Sequence, residues 1–467
     1  MKNKYQDLVE QTFDWPTEHF DLADAGSLKW NDLDLLPIVQ QYGTPLRMTF
    51  LPSIDSQIQR ARRMFNVAMA KVDYDAEYHY CYCTKSNHFS FVMERVLANG
   101  VHLETSSAYD LNIIKHLKDR NLLGDERYVV CNGFKTPRYL DNIAALINGG
   151  HHQTITVLDH IEELEELTSR VHHKAKVGIR IAAEEEPKFE FYTSRLGIGY
   201  RDIVDFYKLQ IANNEKAELK MLHFFINTGI KDTAYYWNEL RKCVNVYIDL
   251  KRLCPTLDSL NIGGGFPIAT SLGSNYDYEY MAEEIILQVK TMCAYAGVEE
   301  PDIFSEFGSY TVGESGANFY SILGQKKQND RETWYMIDSS FMTTLPDSWA
   351  ISKRFIMFPL NKWDRPYERV LLGGLTCDSD DYYNSEQHVN AIFLPRLRKT
   401  DKEPLIIGFF NTGAYQESLA GYGGTKHCLL PSPKHVVVDL DDHGTVTTRL
   451  FAEEQSAENM LTTLGYE

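Results

Sequence analysis

The chain has 467 residues, with 47 Lys and Arg against 65 Asp and Glu, a formal net charge of −18. That length points to two domains, or to one large barrel with an appendage, and 43% hydrophobic with 24% charged residues excludes disorder and collagen-like repeats. A chain this acidic is a poor partner for nucleic acid or an anionic membrane surface, whereas a small cationic molecule would be drawn to it.

The opening Met1-Lys2-Asn3-Lys4-Tyr5 runs into acids without the apolar stretch of a secretory signal. No apolar run reaches the roughly eighteen residues of a membrane span. Eight cysteines are too sparse for a disulfide scaffold, so a cytoplasmic location is expected. Cys81 and Cys83 form a C-x-C pair with no second pair or His cluster at zinc spacing. They are expected on one face of a strand, and no metal site is expected.

In chain order, Leu33 to Gln41 is predicted as a short helix ended by Tyr42-Gly43-Thr44-Pro45. A longer helix follows Pro52, capped by Ser53, with Ile54, Ile58, Ala61, Phe65 and Ala68 at helical spacing. Short apolar runs then alternate with helical stretches. The runs are Tyr78–Thr84, Val101–Glu104, Tyr128–Cys131, Ile155–Leu158, Val177–Ile181, Met221–Ile226, Leu260–Ile262 and Ile303–Ser305. Segments such as Tyr109–Asp119, Pro137–Asn148, Ile161–Val171 and Tyr235–Leu253 are long enough for crossover helices. Eight β-then-α units in about 230 residues predict an α/β chain with a (β/α)8 barrel, in preference to an open doubly wound sheet.

Beyond about residue 315 the runs Trp334–Ile337, Phe355–Phe358, Val370–Leu372, Leu405–Phe410 and His435–Val438 predict a mostly β domain. Asp441-Asp442-His443-Gly444 is its expected hairpin turn. The expected division is 1–44 as an N-terminal segment packing with the β domain, 45–315 as the barrel and 316–467 as the β domain. The acidic run Glu184-Glu185-Glu186 is expected to be a solvated loop.

Active residues of an α/β barrel occupy the carboxyl ends of its strands. Lys85, Glu104, Asn132-Gly133, Arg180, Asn227-Thr228-Gly229, Gly263-Gly264-Gly265 and Glu306 stand there. Three successive glycines let backbone N–H groups cradle an anion, although a tight strand-to-helix turn is the commoner use of such a triplet. The dinucleotide pattern fails because Ile268 holds its last position, and no P-loop is present, which favours a phosphorylated cofactor or substrate. A lysine closing an apolar strand is costly to desolvate, which would lower its pKa and make the amine nucleophilic; a snorkelling lysine is the commoner alternative. Lys85, the glycine cradle and Glu306 together suit pyridoxal 5'-phosphate: an amine for the aldehyde, amides for the phosphate and a carboxylate for the pyridine nitrogen.

The order and spacing of these motifs resemble the barrel-fold pyridoxal-phosphate decarboxylases acting on arginine, ornithine and diaminopimelate, and the arginine branch most. The resemblance runs from Tyr42-Gly43-Thr44-Pro45-Leu46 into the C-terminal domain. It implies that Thr84-Lys85-Ser86-Asn87 is the cofactor-lysine motif and that Glu104 stands near that lysine. It further implies that Asn261 to Pro267 is the phosphate loop, and that Glu306, followed by Gly308, meets the pyridine nitrogen. Tyr415, in Gly413-Ala414-Tyr415-Gln416, would reach the phosphate. Cys377-Asp378-Ser379-Asp380-Asp381 matches a motif that enters the partner subunit's active site; Cys377 would return a proton to Cα and Asp378 would meet the substrate's distal cation. Leu345-Pro346-Asp347-Ser348-Trp349 is similar to a stretch of the arginine branch and makes Asp347 a second candidate for that contact. Ser194-Arg195-Leu196-Gly197 implies an Arg195–Asp381 pair across a homodimer.

Three positions depart from the family pattern. Phe225 replaces the histidine that stacks on the cofactor ring, Thr228 replaces a serine and keeps its hydroxyl, and Ser309 replaces an arginine on the phosphate, a contact worth about 1.5–3 kcal/mol. The implied activity is decarboxylation of L-arginine to agmatine and CO2, feeding putrescine and spermidine synthesis. An ornithine or lysine decarboxylase, a racemase-like barrel and a non-catalytic regulatory homologue are the alternatives.

Overall fold

The computed structural model describes residues 3–183, 194–330, 332–383 and 392–466; the run Glu184-Glu185-Glu186 lies outside them. Two compact units emerge. One comprises Ile54–Pro267 with Tyr276–Thr311, the other Met1–Ser53 with Ile268–Asn275 and Val312–Glu467.

The first unit is a closed parallel barrel. Its strands are β1 (Tyr78–Cys83), β2 (His102–Thr105), β3 (Val129–Cys131), β4 (Thr154–Leu158), β5 (Ala175–Ile181), β6 (Ala217–Phe224), β7 (Ser259–Asn261) and β8 (Asp302–Phe307). β8 pairs with β1 from Ile303↔Tyr78 to Phe307↔Tyr82, which closes the cylinder. All eight fall on the predicted apolar runs. Each run is short and rich in β-branched or aromatic residues, as strands covered by helices on one side and core on the other require.

Crossover helices include Ala108–Asp119, Pro137–Asn148, Ala234–Lys251 and Tyr278–Ala296. Ser107, Thr136, Thr233 and Asp277 cap them, each side chain accepting a backbone N–H of the first turn. The helix before β1 buries Ile54, Ile58, Ala61, Phe65 and Ala68 as predicted, but it begins at Pro52, so Ser53 lies inside its first turn instead of capping it. Inside the barrel Cys81, Val130, Ile155, Val157, Met221 and Phe304 form an apolar plug. Burial there pushes the Cys81 and Cys83 thiols well up, as structural cysteines on one strand face should be.

The second unit holds a ten-stranded sheet. Leu46–Phe50 pairs antiparallel with Gly316–Lys327 and parallel with Lys434–Leu440, and all five of its residues are buried. The expected barrel start at residue 45 is therefore corrected: this strand belongs to the β unit, which also takes Ile268–Asn275, and the barrel unit begins at Ile54. The N-terminal segment packs in the same unit, with Phe20 against Phe410 at 4.9 Å and Tyr5 against Trp363 at 5.0 Å between ring centroids. Lys434–Leu440 and Val446–Ala452 form the predicted hairpin, with Gly444 at φ +75° in the turn.

Candidate active site

The carboxyl ends of the barrel strands carry a connected set of polar side chains. Lys85 sits in the 3-10 turn Thr84–Ser86 directly after β1 and places its Nζ 2.6 Å from Glu104 Oε2. Its side chain is 41% exposed while Glu104 is fully buried. The expected desolvated amine is thus corrected: Lys85 keeps contact with water and takes a carboxylate partner. An anionic partner holds the amine in place and satisfies a glutamate that would otherwise be alone in the barrel.

Glu306, on β8, is buried beside it. One amide, Asn132 Nδ2, donates to both acids, at 3.1 Å to Glu104 Oε1 and 2.8 Å to Glu306 Oε1. Asn261 Nδ2 donates to the same Glu306 oxygen at 2.6 Å, and His223 Nε2 lies 3.3 Å from Oε2. Burial alone would push the Glu306 carboxyl up. His223, Lys85 and Asn132 together overturn that and hold it well below the usual carboxylate range. Glu306 is therefore an ionised acid fixed by two amides at the barrel mouth.

Glycine supplies the other half of the site. A Cβ on Gly264 would stand 2.1 Å from the Glu306 carbonyl oxygen, and one on Gly265 2.7 Å from Gly229 Cα. Gly263, at φ +68°, would place its Cβ 2.7 Å from the Phe224 carbonyl oxygen. No other residue fits this cradle, and Asn261 Oδ1 fixes its start by accepting from Gly263 N at 2.9 Å. Gly308 lets β8 approach the lysine turn, since its Cβ would meet Cys83 Cβ and Ser86 Cβ at 3.1 Å.

Phe225 borders the cradle, its Cδ2 being 3.2 Å from a Cβ built on Gly263, and the Arg180 guanidinium lies 5.8 Å from its ring centroid. Arg180 Nε meets no hydrogen-bond partner among the described residues. Thr228, half-buried, stands in the adjoining loop after β6. A half-exposed amine, an ionised buried acid and a backbone cradle that only glycine can form match the aldehyde, ring nitrogen and phosphate of pyridoxal phosphate, so the residues fit this group. Ser309 brings no cation to it.

The β unit holds the remaining predicted residues. Cys377 is exposed and Asp378 half-exposed, with Asp378 Oδ1 accepting from Asp380 N at 2.9 Å. Asp381 points inward. Its Oδ1 accepts from Phe341 N at 2.9 Å and its Oδ2 from Thr376 N and Oγ1 at 3.0 and 2.7 Å. The Asp381 carboxylate is thus buried and engaged within its own unit, and the expected Arg195–Asp381 pair, a contact between two copies of the chain, belongs with the proposed homodimer. Asp347 is buried as well, with Oδ2 2.8 Å from Gln416 Nε2 and 3.3 Å from Lys353 Nζ. Tyr415 stands beside that glutamine at φ +68°, in the left-handed region. The Leu345–Trp349 and Gly413–Gln416 motifs thus meet within one unit.

Asn132 stands at a strand end, Asn261 opens the expected phosphate loop and His223 lies inside the apolar run Met221–Ile226, and none of the three has an expected role of its own. The available signal was an amide or imidazole in an otherwise apolar strand.

A parallel barrel whose mouth joins a lysine, two acids and a glycine cradle, followed by a β unit, defines a pyridoxal-phosphate enzyme of barrel type. Residues 53–313 match the pyridoxal-dependent decarboxylase family through its pyridoxal binding domain, and the chain belongs to that family. It is 22% identical to the biosynthetic arginine decarboxylase 2 of Synechocystis sp., over 86% of this chain and 81% of that protein. It is 24% identical to arginine decarboxylase 2 of Arabidopsis thaliana, over 92% and 76%. The crystal structure of the biosynthetic arginine decarboxylase SpeA from Campylobacter jejuni shares the fold, with a TM-score of 0.83 at 20% identity, covering 99% of this chain and 90% of that one.

Proposed function

We propose that this chain removes the α-carboxyl group of a basic amino acid, L-arginine ahead of ornithine or lysine, giving agmatine and CO2 for polyamine synthesis. The observation that carries the reading is the Lys85–Glu104–Asn132–Glu306 set beside the Gly263–Gly265 cradle; the arginine decarboxylases among its relatives support the substrate.

Bound pyridoxal phosphate supplies an electron sink for the carbon that loses CO2. Lys85 Nζ would hold its aldehyde carbon, the Gly263–Gly265 backbone its phosphate and Glu306 its ring nitrogen. Asn132 and Asn261 orient Glu306 through Oε1, and the lowered pKa keeps its charge available to stabilise a proton on that nitrogen. Phe225 offers a ring face for stacking. Cys377 Sγ would carry the proton returned to Cα, and its neighbour Cys428 pushes that thiol up, which keeps the proton on sulfur. Asp378 is the better placed of the two predicted acids to meet a guanidinium, because Asp347 is held by Lys353 and Gln416.

Borohydride reduction of the purified protein, followed by peptide mass mapping, should mark Lys85. An unmarked Lys85 removes the cofactor reading, and a marked Lys85 with no turnover of any basic amino acid favours the regulatory homologue. Product analysis with arginine, ornithine and lysine should give agmatine; putrescine or cadaverine instead would move the assignment to that substrate.

The proposal includes a homodimer with sites completed across the interface, in which Arg195 of one copy would meet Asp381 of the other. Mixing inactive Lys85→Ala and Cys377→Ala chains should then restore about a quarter of the wild-type rate, since half of the random dimers regain one site. No restoration would place each site within one chain. No described helix is long and apolar enough to cross a membrane, and a cytoplasmic location belongs to the same proposal.

A further inference from the structure

The β unit gathers a second set of reactive side chains. Cys377 Sγ and Cys428 Sγ lie 3.6 Å apart, and a ring nitrogen of His427 joins them so that all three donor atoms fall within 4.8 Å of one another. An oxygen of Asp378 lies 3.9 Å from His427 Nε2. The four residues come from two loops, Cys377-Asp378 after Tyr367–Gly373 and His427-Cys428 in the turn His427–Leu429.

The spacing suits an ion. A tetrahedral zinc with Zn–S bonds of about 2.3 Å holds two thiolates ~3.8 Å apart and a nitrogen–oxygen pair ~3.4 Å apart. The sulfur pair, at 3.6 Å, lies close to its edge, and the His427–Asp378 pair, at 3.9 Å, would draw in by about 0.5 Å to reach its own. Two sulfurs, an imidazole and one carboxylate are a donor set for zinc, not for magnesium or calcium.

We propose that Cys377, Cys428, His427 and Asp378 form a binding site for a thiophilic divalent cation of the zinc type, and that an ion held there takes Cys377 out of proton donation. As the ion binds, each thiol releases its proton to solvent and its sulfur lone pair enters the metal–sulfur bond; no electron is transferred. The site itself stands without the decarboxylase reading, whereas its inhibitory effect rests on it.

The experiment uses the full-length protein, reduced and then freed of reductant. Zinc chloride and cobalt chloride serve as probes. Wild type should bind one ion per chain, and cobalt should develop thiolate charge-transfer absorption. The ion should also protect Cys377 and Cys428 from alkylation by iodoacetamide; the other six cysteines are buried and add little background. Cys428→Ser and His427→Ala should each weaken binding by roughly 100-fold or more, since even outer partners of a metal site contribute tenfold to a hundredfold.

None of these readouts involves substrate, so a failed decarboxylase assay leaves them intact. If decarboxylation is present, one equivalent of zinc should suppress it in wild type and leave His427→Ala uninhibited. Equal zinc affinity in wild type and Cys428→Ser overturns the proposal, as does cobalt binding without thiolate absorption. Alkylation at both cysteines in the presence of bound zinc does so too. A Cys377–Cys428 disulfide that forms in air despite one equivalent of zinc would replace the metal site with a redox pair.

Discussion

Glu306 in the barrel unit and Asp338 in the β unit are both carboxylates withdrawn from water, and their surroundings drive them in opposite directions. Each accepts two hydrogen bonds of ordinary kind. Glu306 takes them from Asn132 and Asn261, Asp338 from the Thr44 hydroxyl at 2.5 Å and the Ser321 N–H at 3.1 Å. Burial pushes both acids up. In the barrel His223 and Lys85 reverse the direction. In the β unit no cation among the described residues does so, Glu454 adds a like charge, and the carboxyl is pushed up to about 6. What Glu306 has and Asp338 lacks is the electrostatic pull of His223 and Lys85 together with a further His223 hydrogen bond, and these decide the sign. An acid that must stay ionised against a protonated ring nitrogen is built with cations around it; Asp338 meets no such demand, and ionising it at neutral pH costs up to about 3 kcal/mol.

The largest test of that contrast is Lys85→Ala. It should lower kcat by at least about 10⁴-fold by removing the amine that bonds the cofactor, and it should lower Tm as well, because the buried Glu104 loses its ion-pair partner. Residual turnover close to wild type would show that another amine serves. Glu306→Gln comes next. The amide keeps the shape and removes the charge, so kcat should fall roughly 10²–10³-fold with little change in KM. Its pH signature is independent of turnover. The folded-state pKa of Glu306 lies below the ordinary value of 4.5, so its stabilising effect is complete above that pH and is lost as pH falls below it. Wild type should therefore lose Tm on acidification below about pH 4.5 faster than Glu306→Gln does. Parallel curves would mean that Glu306 is not held ionised.

Gly264→Ala should act more weakly but on both properties at once. A Cβ 2.1 Å from the Glu306 carbonyl oxygen forces the cradle and β8 apart, a strain of about 1–3 kcal/mol, and pyridoxal phosphate should then be lost on gel filtration. Full retention of the cofactor at wild-type Tm would show that the cradle can widen without consequence.

The same contrast explains what was legible in the sequence. The eight barrel strands were, because each is a short β-branched run followed by a helical stretch of matching length. Lys85, Glu104, Gly263–Gly265 and Glu306 stood out because a polar or glycine residue closing such a run breaks its pattern. Asn132 closes its run as well but offers no chemistry that marks a role, and Asn261 and His223 lie inside their runs. Barrel strands are buried on both faces, so burial patterns such as those of β3 and β7 show no alternation that would mark which side chains point inward. Leu46–Phe50 was read as the start of the barrel because its partners, Gly316–Lys327 and Lys434–Leu440, lie hundreds of residues away and local pattern carries no trace of them. Asp347 and Asp381 were read as open to substrate or to a partner because a motif gives residue identity, not direction. The Phe341 N–H and the Gln416 amide that engage them come from distant segments of the β unit, and Thr376 and Lys353 fold back from five and six positions away.

Asp338→Asn gives the smallest effect and the sharpest sign. The raised carboxyl binds its proton more tightly in the folded than in the unfolded chain. Stability is therefore highest below the ordinary value of 3.8 and is lost as pH rises towards about 6. Asparagine is neutral throughout, keeps an oxygen for the Ser321 N–H and offers an N–H to Thr44 Oγ1, whose own hydrogen can turn to Ser321 Oγ at 2.6 Å. Its amide hydrogen bonds are weaker than ideal, so the gain at pH 7 should be about 1–2 kcal/mol, read as a Tm higher by roughly 2–4 °C. At pH 4 the advantage should vanish, because the wild-type acid is then protonated as well. A variant that is less stable than wild type at pH 7 would show that Asp338 has a cationic partner in solution, and the contrast with Glu306 would then fail on its own terms.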